Sequence, residues 1–187
     1  MDFYKSMNDL KDYFKAFIEK TPSFGKSFIC IDDKINFELV RKIKNKNFYT
    51  YGQQINSNFR IKNIEFKKSF SKFDVEVNLP NKKTINIKKI KIPLIGIHNI
   101  RNSVGALCVA LSVGIPIQKI KKGLNNFKGV QRRFNKIFTY SNIDFYDDYA
   151  HHPTEIKVVL QGVKKVFNKH DKVCIFQPHR ISRLKDL

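Results

Sequence analysis

Between Asp147 and Glu155 the chain reads Asp-Asp-Tyr-Ala-His-His-Pro-Thr-Glu, placing three carboxylates and two imidazoles within one short stretch. Acids and histidines at this density can hold a metal, move protons or orient an anionic substrate. The stretch follows one apolar segment and precedes a helical one, and in parallel α/β sheets ligands sit outside the carboxyl ends of the strands. The same residues also suit the start of a helix, with Pro153 in a first turn and Glu155 near the positive helix end. A helix start alone does not call for His151 and His152, so the stretch reads first as a ligand site, with a metal hydrolase built on the two histidines as a lesser alternative.

Three further segments carry polar groups at telling positions. Gln177-Pro178-His179-Arg180-Ile181-Ser182-Arg183 follows the apolar run Val173 to Phe176. Arg180 and Arg183 could fork onto a carboxylate or phosphate, or be two surface charges. Gly96-Ile97-His98-Asn99-Ile100-Arg101-Asn102 joins a strand to a helix, with Asn99 and Asn102 three apart and therefore on one face. An asparagine amide offers a donor and an acceptor that match adenine N6 and N7, although taken alone Asn99 reads better as a helix cap. Phe127 to Phe134 sets Arg132 and Arg133 beside Gly129, where an arginine can reach a phosphate across a cleft. Phe24-Gly25-Lys26-Ser27 has the tail of a phosphate-binding P-loop. The first glycine of that pattern falls on Lys20, however, and the segment runs from helix to strand, the reverse of the required order. It reads as a turn.

The elements that must position these groups follow from periodicity. Leu10, Tyr13, Phe14, Phe17 and Ile18 predict an amphipathic helix over residues 8–20. Strands are expected at Ser27 to Ile31, Phe59 to Phe66, Phe73 to Leu79 and Ile85 to Ile92, the last with an irregularity near Lys88 and Lys89. Val104, Leu107, Cys108 and Leu111 form a helical stripe ending at Gly114; Ile117, Ile120, Leu124 and Phe127 form another after Pro116. Strands at Ile137 to Tyr140 and Ile143 to Tyr146, a helix through Ile156, Val159, Leu160 and Val163, and the run Val173 to Phe176 predict the start of a doubly wound parallel sheet. The turn at Lys128 to Arg132 marks the boundary between the two halves.

The 187 residues carry 36 basic and 16 acidic side chains, for a net charge of +20. Of the basic residues 29 are Lys and 7 Arg, spread from Lys5 to Lys185. A nucleic-acid surface concentrates Arg and stacking aromatics on one face, so these lysines read as solvated surface and no nucleic-acid partner is expected; a lysine-rich nucleic-acid-binding module stands as the alternative function. The most apolar stretch, Ala106 to Ile117, is broken by Ser112, Gly114 and Pro116. No run approaches the ~18 apolar residues of a membrane span, and Asp2, Asp9 and Asp12 do not suit a secretory signal, so a cytoplasmic protein is expected. Cys30, Cys108 and Cys174 match neither a disulfide framework nor a zinc pattern and read as reduced core residues.

Taken in order, the segments at Gly96, Phe127, Asp147 and Gln177 resemble the Mur ligases, and more narrowly the branch that adds L-alanine to UDP-N-acetylmuramate during peptidoglycan synthesis. The resemblance implies an α/β chain in which residues 1–128 are the later part of the central ATPase domain and residues 129–187 begin a Rossmann-like C-terminal domain. The family's UDP-sugar domain, its P-loop and its Mg2+-binding acid and histidine would lie upstream of Met1 and could come from another reading frame. The chain is then an internal fragment, inactive alone and with no metal ligands of its own. Ile95 departs from the proline that commonly precedes Gly96 in the family, and Gly105 falls in its small-residue helix. In such enzymes the muramate carboxylate attacks the ATP γ-phosphate, and the L-alanine amine then displaces phosphate from the acyl phosphate. Carried over, Asn99 and Asn102 would hold adenine with His98 beside it, and Asp148 would bind the ribose or brace the hinge. Arg133 would contact the γ-phosphate. His151, Arg180 and Arg183 would orient the muramate carboxylate and the incoming alanine, leaving His152 and His179 in supporting places. Arg133 and His151 are thus the expected catalytic residues, with ATP and Mg2+ as cofactors.

Overall fold

The computed structural model describes residues 4–45 and 47–178. Its first half is a five-stranded mixed sheet with helices on it. α1 (Met7–Glu19) starts where Ser6 Oγ accepts the Asp9 amide at 3.1 Å, and it buries Ile18. β1 (Ser27–Cys30) leads through Asp33, which caps α2 (Lys34–Lys42), into β2 (Phe48–Gly52). β3 (Phe59–Phe66), β4 (Ser71–Val77) and β5 (Ile85–Ile92) complete the order β1-β2-β3-β4-β5, parallel from β1 to β3 and antiparallel from β3 to β5. Alternation along β4 turns Phe73, Val75 and Val77 inward. α3 (Ile97–Ser112) lays Ile100, Val104, Leu107 and Cys108 on this apolar face, and α4 (Ile117–Asn126) adds Ile120. A smaller core of Ile18, Ile29, Leu39 and Ile43 lies between α1, β1 and α2.

The expected irregularity near Lys88 and Lys89 is a bulge. Lys89 takes a left-handed φ of 57°, and its amide donates to Asp74 Oδ1 at 2.7 Å while Asn63, at φ 52° on the neighbouring strand, donates to Asp74 Oδ2 at 2.8 Å. One carboxylate therefore stitches the breaks on both flanking strands. The Gly25 segment is a turn, as read: the Gly25 amide donates to the Pro22 carbonyl at 2.9 Å on the way from α1 into β1.

The second half holds β6 (Asn135–Tyr140), β7 (Ile143–Asp147) and α5 (Pro153–Val166). β6 and β7 form a separate antiparallel hairpin around Ser141 and Asn142, both at positive φ, the backbone a tight two-residue hairpin turn needs. The parallel pairing expected of the βαβ order concerns β7 and the run Val173 to Phe176, on either side of α5. Val173 to Phe176 joins neither sheet, and Val173 and Ile175 are 90% and 94% exposed. A hairpin pairs through local chain reversal, whereas a parallel strand must find its partner across a helix. The same segment overturns the reading of the cysteines as core: Cys108 is buried and Cys30 half-buried, but Cys174 is exposed. α2 and β2 were not expected. α2 buries only Leu39, and the Phe-Tyr-Thr-Tyr-Gly of β2 has no clean alternation to announce a strand.

The two halves touch closely. Gly129, at φ 88°, leaves no slack for a side chain, since a Cβ there would sit 3.0 Å from Leu94 Cδ2. A Cβ on Gly162 of α5 would come within 3.8 Å of the Gly96 Cα at the start of α3, and Lys165 lies over the Phe66 ring at 5.7 Å.

Candidate functional site

The start of α3 is shaped by Gly96, at φ 102° and ψ 147°. A Cβ there would fall 2.7 Å from His98 Cε1, so only glycine lets the imidazole fold back over the helix start. Asn99 is not the cap that its position suggested. Gly96 is the cap residue, and Asn99 lies inside the first turn, its side-chain amide donating to the Ile95 carbonyl at 2.8 Å. This bond uses one amide hydrogen and fixes the side chain's direction. Asn102 is exposed one turn on.

His98 is half-buried, and its Nδ1 is buried without a hydrogen-bond partner. Burial pushes its pKa below the ordinary histidine value; the Asp148 carboxylate opposes this and the Arg133 and Arg101 guanidinium groups add to it. Arg133 and Asp148 belong to the second half of the chain, so the first turn of α3 and the loops around the hairpin face one another across the boundary.

The segment that carries Arg133 is held in an unusual backbone. Arg132 and Phe134 have φ of 57° and 51°, left-handed values that cost non-glycine residues energy. Three contacts hold it: Tyr149 N donates to the Arg132 carbonyl at 2.8 Å, Phe134 N to Asp148 Oδ2 at 2.8 Å, and Arg133 N to Asn135 Oδ1 at 2.8 Å. Asp148 also accepts from Ala150 N at 2.7 Å, so its two oxygens tie the Phe134 and Ala150 backbones together. Arg132 turns away to Asp147 at 3.2 Å and lies over the Tyr149 ring at 4.8 Å. Arg133 is half-exposed, its Nη1 3.7 Å from Glu155 Oε1.

His152 and Glu155 form a capping box at the start of α5: His152 Nδ1 accepts the Thr154 amide at 3.2 Å, and Glu155 reaches back to the His152 amide. The helix-start reading therefore explains His152. It does not explain His151, whose Nδ1 lies 3.0 Å from the Tyr149 carbonyl and 3.8 Å from Glu155 Oε2 and whose ring meets Tyr149 edge-on at 5.1 Å. Glu155 is the group that sequence reasoning missed as a site residue. Burial raises its pKa, but the His151 and His152 amides, with the charges of His151 and Arg133, hold it below the usual glutamate value. A carboxylate three residues into a helix signals a cap; nothing local signals that it also gathers Arg133 and His151. Among the described residues no group of three or more His, Cys, Asp and Glu stands ready for a metal, and with His152 spent on the cap the hydrolase alternative loses a ligand. A groove of about 560 Å3 runs along α5 between His151, Pro153, Ile156, Leu160 and Phe176.

The structure thus brings His98, Arg133, Asp148, His151 and Glu155 towards one boundary, with Asn99 and Asn102 on the same helix start. Arg180, Arg183 and His179 lie outside the described residues. Lysines pair with acids on separate elements, Lys11 with Glu38, Lys62 with Glu76 and Lys136 with Asp144, as a solvated surface does. No helix among the described residues is long and apolar enough to cross a membrane.

Residues 1–110 match the Mur ligase middle domain, and residues 132–187 match the family described as Mur ligase, glutamate ligase domain. The UDP-N-acetylmuramate–L-alanine ligase of Pelagibacter ubique is 63% identical over the whole chain, which covers 40% of that protein; the ligase of the same name from Rickettsia bellii is 44% identical, again with 40% covered. The chain spans about two fifths of the length of these relatives. Among solved structures, the UDP-N-acetylmuramate-alanine ligase of Thermotoga maritima superposes with a TM-score of 0.73 at 28% identity, over 94% of this chain and 38% of that one. MurF from Acinetobacter baumannii shares the fold at a TM-score of 0.70 and 20% identity, over 86% of this chain and 34% of that one.

Proposed function

Since the chain belongs to the Mur ligase family, we propose that it forms part of an ATP-dependent ligase that joins L-alanine to UDP-N-acetylmuramate, an early amide bond of peptidoglycan precursor synthesis. In this reading residues 1–128 are the later part of the central domain and residues 129–187 the start of the C-terminal one, and the boundary between them is the reaction cleft. The observation that supports the proposal is the approach of the two halves at the start of α3, where Gly162 of α5 lies against Gly96 and the charges of Arg133 and Asp148 reach His98. It sets the polar side chains of His98, Asn99 and Asn102 on the side of the boundary that the half-exposed Arg133 can reach.

The residues present fit an adenine nucleotide. His98 Nδ1 is a buried polar atom without a partner, and Asn99 is held rigid by Ile95 while Asn102 is open to solvent. ATP, when bound, supplies the phosphoryl group that activates the muramate carboxylate. This chain's part is to bind and orient. Asn99 and Asn102 take the adenine edge, and neutral His98 packs beside the ring. Arg133 leaves its long contact with Glu155 and offsets charge on the γ-phosphate. His151, oriented by Tyr149 and Glu155, faces the groove along α5 and with Arg180 and Arg183 aligns the two carboxylate substrates. Among the described residues no group of three or more His, Cys, Asp and Glu stands ready for a metal, and no step is assigned to Mg2+, whose protein ligands this reading places in the part of the ligase outside this chain.

The test is a chimera in which this chain replaces the matching stretch of the Pelagibacter ubique ligase, assayed by L-alanine-dependent phosphate release. In it Arg133→Ala is expected to lower turnover more than tenfold, about 1.4 kcal/mol or more at the transition state, with ATP affinity nearly unchanged; an unchanged kcat sinks the role of Arg133. Asn102→Ala should instead raise the KM for ATP, because a desolvated adenine edge loses its partner. Equal use of ATP and GTP by the unsubstituted chimera removes the reason for placing adenine there. Arg180→Ala should raise the KM for UDP-N-acetylmuramate or L-alanine by roughly 1.5–3 kcal/mol equivalent, the worth of a charge-assisted hydrogen bond. If only the KM for ATP moves, Arg180 belongs to the nucleotide.

A further inference from the structure

Asp32 follows β1 and Arg101 lies in α3, 69 residues along the chain, yet Arg101 Nε donates to Asp32 Oδ2 at 2.7 Å. The other oxygen, Oδ1, accepts the amides of Gln53 at 2.7 Å and Gln54 at 3.3 Å, just beyond β2. The Asp32 side chain is 4% exposed and that of Arg101 33%. Gly52, at φ 145°, ends β2 so tightly over this carboxylate that a Cβ would lie 2.4 Å from Oδ1. A buried carboxylate is costly unless donors answer it, and here the donors come from the β2 end and from α3. One side chain therefore ties β1, β2 and α3 together at the carboxyl edge of the parallel strands.

What this tie holds is the first turn of α3. That helix starts without a side-chain cap, so its orphan amides offer little resistance to fraying. Arg101 sits three residues after His98 and immediately before Asn102, and its charge reaches His98. Anchoring Arg101 to the sheet fixes how the faces of His98, Asn99 and Asn102 are turned. We propose that the Asp32–Arg101 pair is a positioning lock for the adenine-facing turn of α3, a role that rests on the adenine reading given above. Neither residue need touch the nucleotide; both act through the turn they hold.

Hydrogen exchange by mass spectrometry on the 187-residue chain, with AMP binding followed by calorimetry, tests the lock. Arg101→Met should speed exchange across residues 98–103 at least tenfold while β4 and β5 keep their protection, and should weaken AMP binding about tenfold. Arg101→Lys should recover part of both, and Asp32→Asn combined with Arg101→Met should be no worse than either alone, because the two residues act as one unit. In the chimera the same Arg101→Met should raise the KM for ATP and leave kcat at saturating ATP nearly unchanged. Exchange that stays slow in Arg101→Met, or that rises equally in β4, β5 and α3, overturns the lock. So does a loosened turn with unaltered AMP affinity and KM. If the unsubstituted chain and chimera show no preference for adenine, the adenine reading fails, and the exchange pattern alone still decides whether the pair holds the turn.

Discussion

Purified residues 1–187 should release no phosphate above background when given ATP, UDP-N-acetylmuramate and L-alanine, while the chimera built on the Pelagibacter ubique ligase should turn over. Phosphoryl transfer is carried mainly by positioning and by neutralising charge, through a cradle of backbone amides and a metal ion. The chain's nearest approach to a phosphate loop is the Gly25 turn, whose amide is already bonded to Pro22 and which leads into a strand instead of a helix. Among the described residues no ligand cluster awaits a metal. In the proposed reading the chain carries His98 and the asparagines on one side of the cleft, and Arg133, His151 and Glu155 on the other. In that reading these groups bind and orient, and the reaction requires the remainder of the ligase. L-alanine-dependent phosphate release by the isolated chain overturns this division of labour. A silent chimera whose circular dichroism matches the parent ligase overturns the assignment of the chain to this reaction.

The largest effect on folding is expected at Phe73. It lies on β4, the penultimate strand of the sheet, 1% exposed and inside the cluster that Val75, Ile90, Ile92, Ile100 and Leu107 complete. Phe73→Ala removes the ring and leaves a cavity that strands paired on both sides cannot close, a loss of about 3–5 kcal/mol. Since small proteins are stable by only about 5–15 kcal/mol, the variant should be largely unfolded at moderate urea where the parent is folded. Phe17→Ala on α1, where the ring is 74% exposed, serves as the comparison and should shift the urea midpoint little. Equal midpoints for Phe73→Ala and Phe17→Ala would place the core elsewhere.

Local signals carried much of the fold. The 3.6-residue stripes of α1, α3, α4 and α5 and the alternation of β4 are properties of neighbouring residues, so periodicity finds them without knowing what packs on them. The bulge at Lys89 is legible in the same way, because Ile87 and Ile90 are three apart where a plain strand would set them two apart. The candidate site was legible in part for a related reason. Polar groups where an apolar segment ends mark where the chain leaves a strand, as His98 does after β5 and Asp148 and His151 do after β7, while Arg133 stands near Gly129 on the way into β6.

By itself the sequence determined where Gly96 and Gly129 relax the backbone, which polar groups stand near the ends of strands, and most helical and extended segments, though not α2 and β2. Tertiary structure alone decided which of those groups meet. The parallel order of β1, β2 and β3 and the exposure of Val173 and Ile175 depend on which edges find partners, and an apolar run does not say whether a partner is there. Asn99 and His152 exchanged expectations: the asparagine expected to cap α3 bonds Ile95 from inside the helix, and a histidine caps α5. Asp32 and Arg101 are 69 residues apart, and no spacing rule connects them. They meet because burying the apolar face of α3 on the sheet brings its first turn to the carboxyl edge of β1, where a buried carboxylate must be answered by whatever cation the packing delivers.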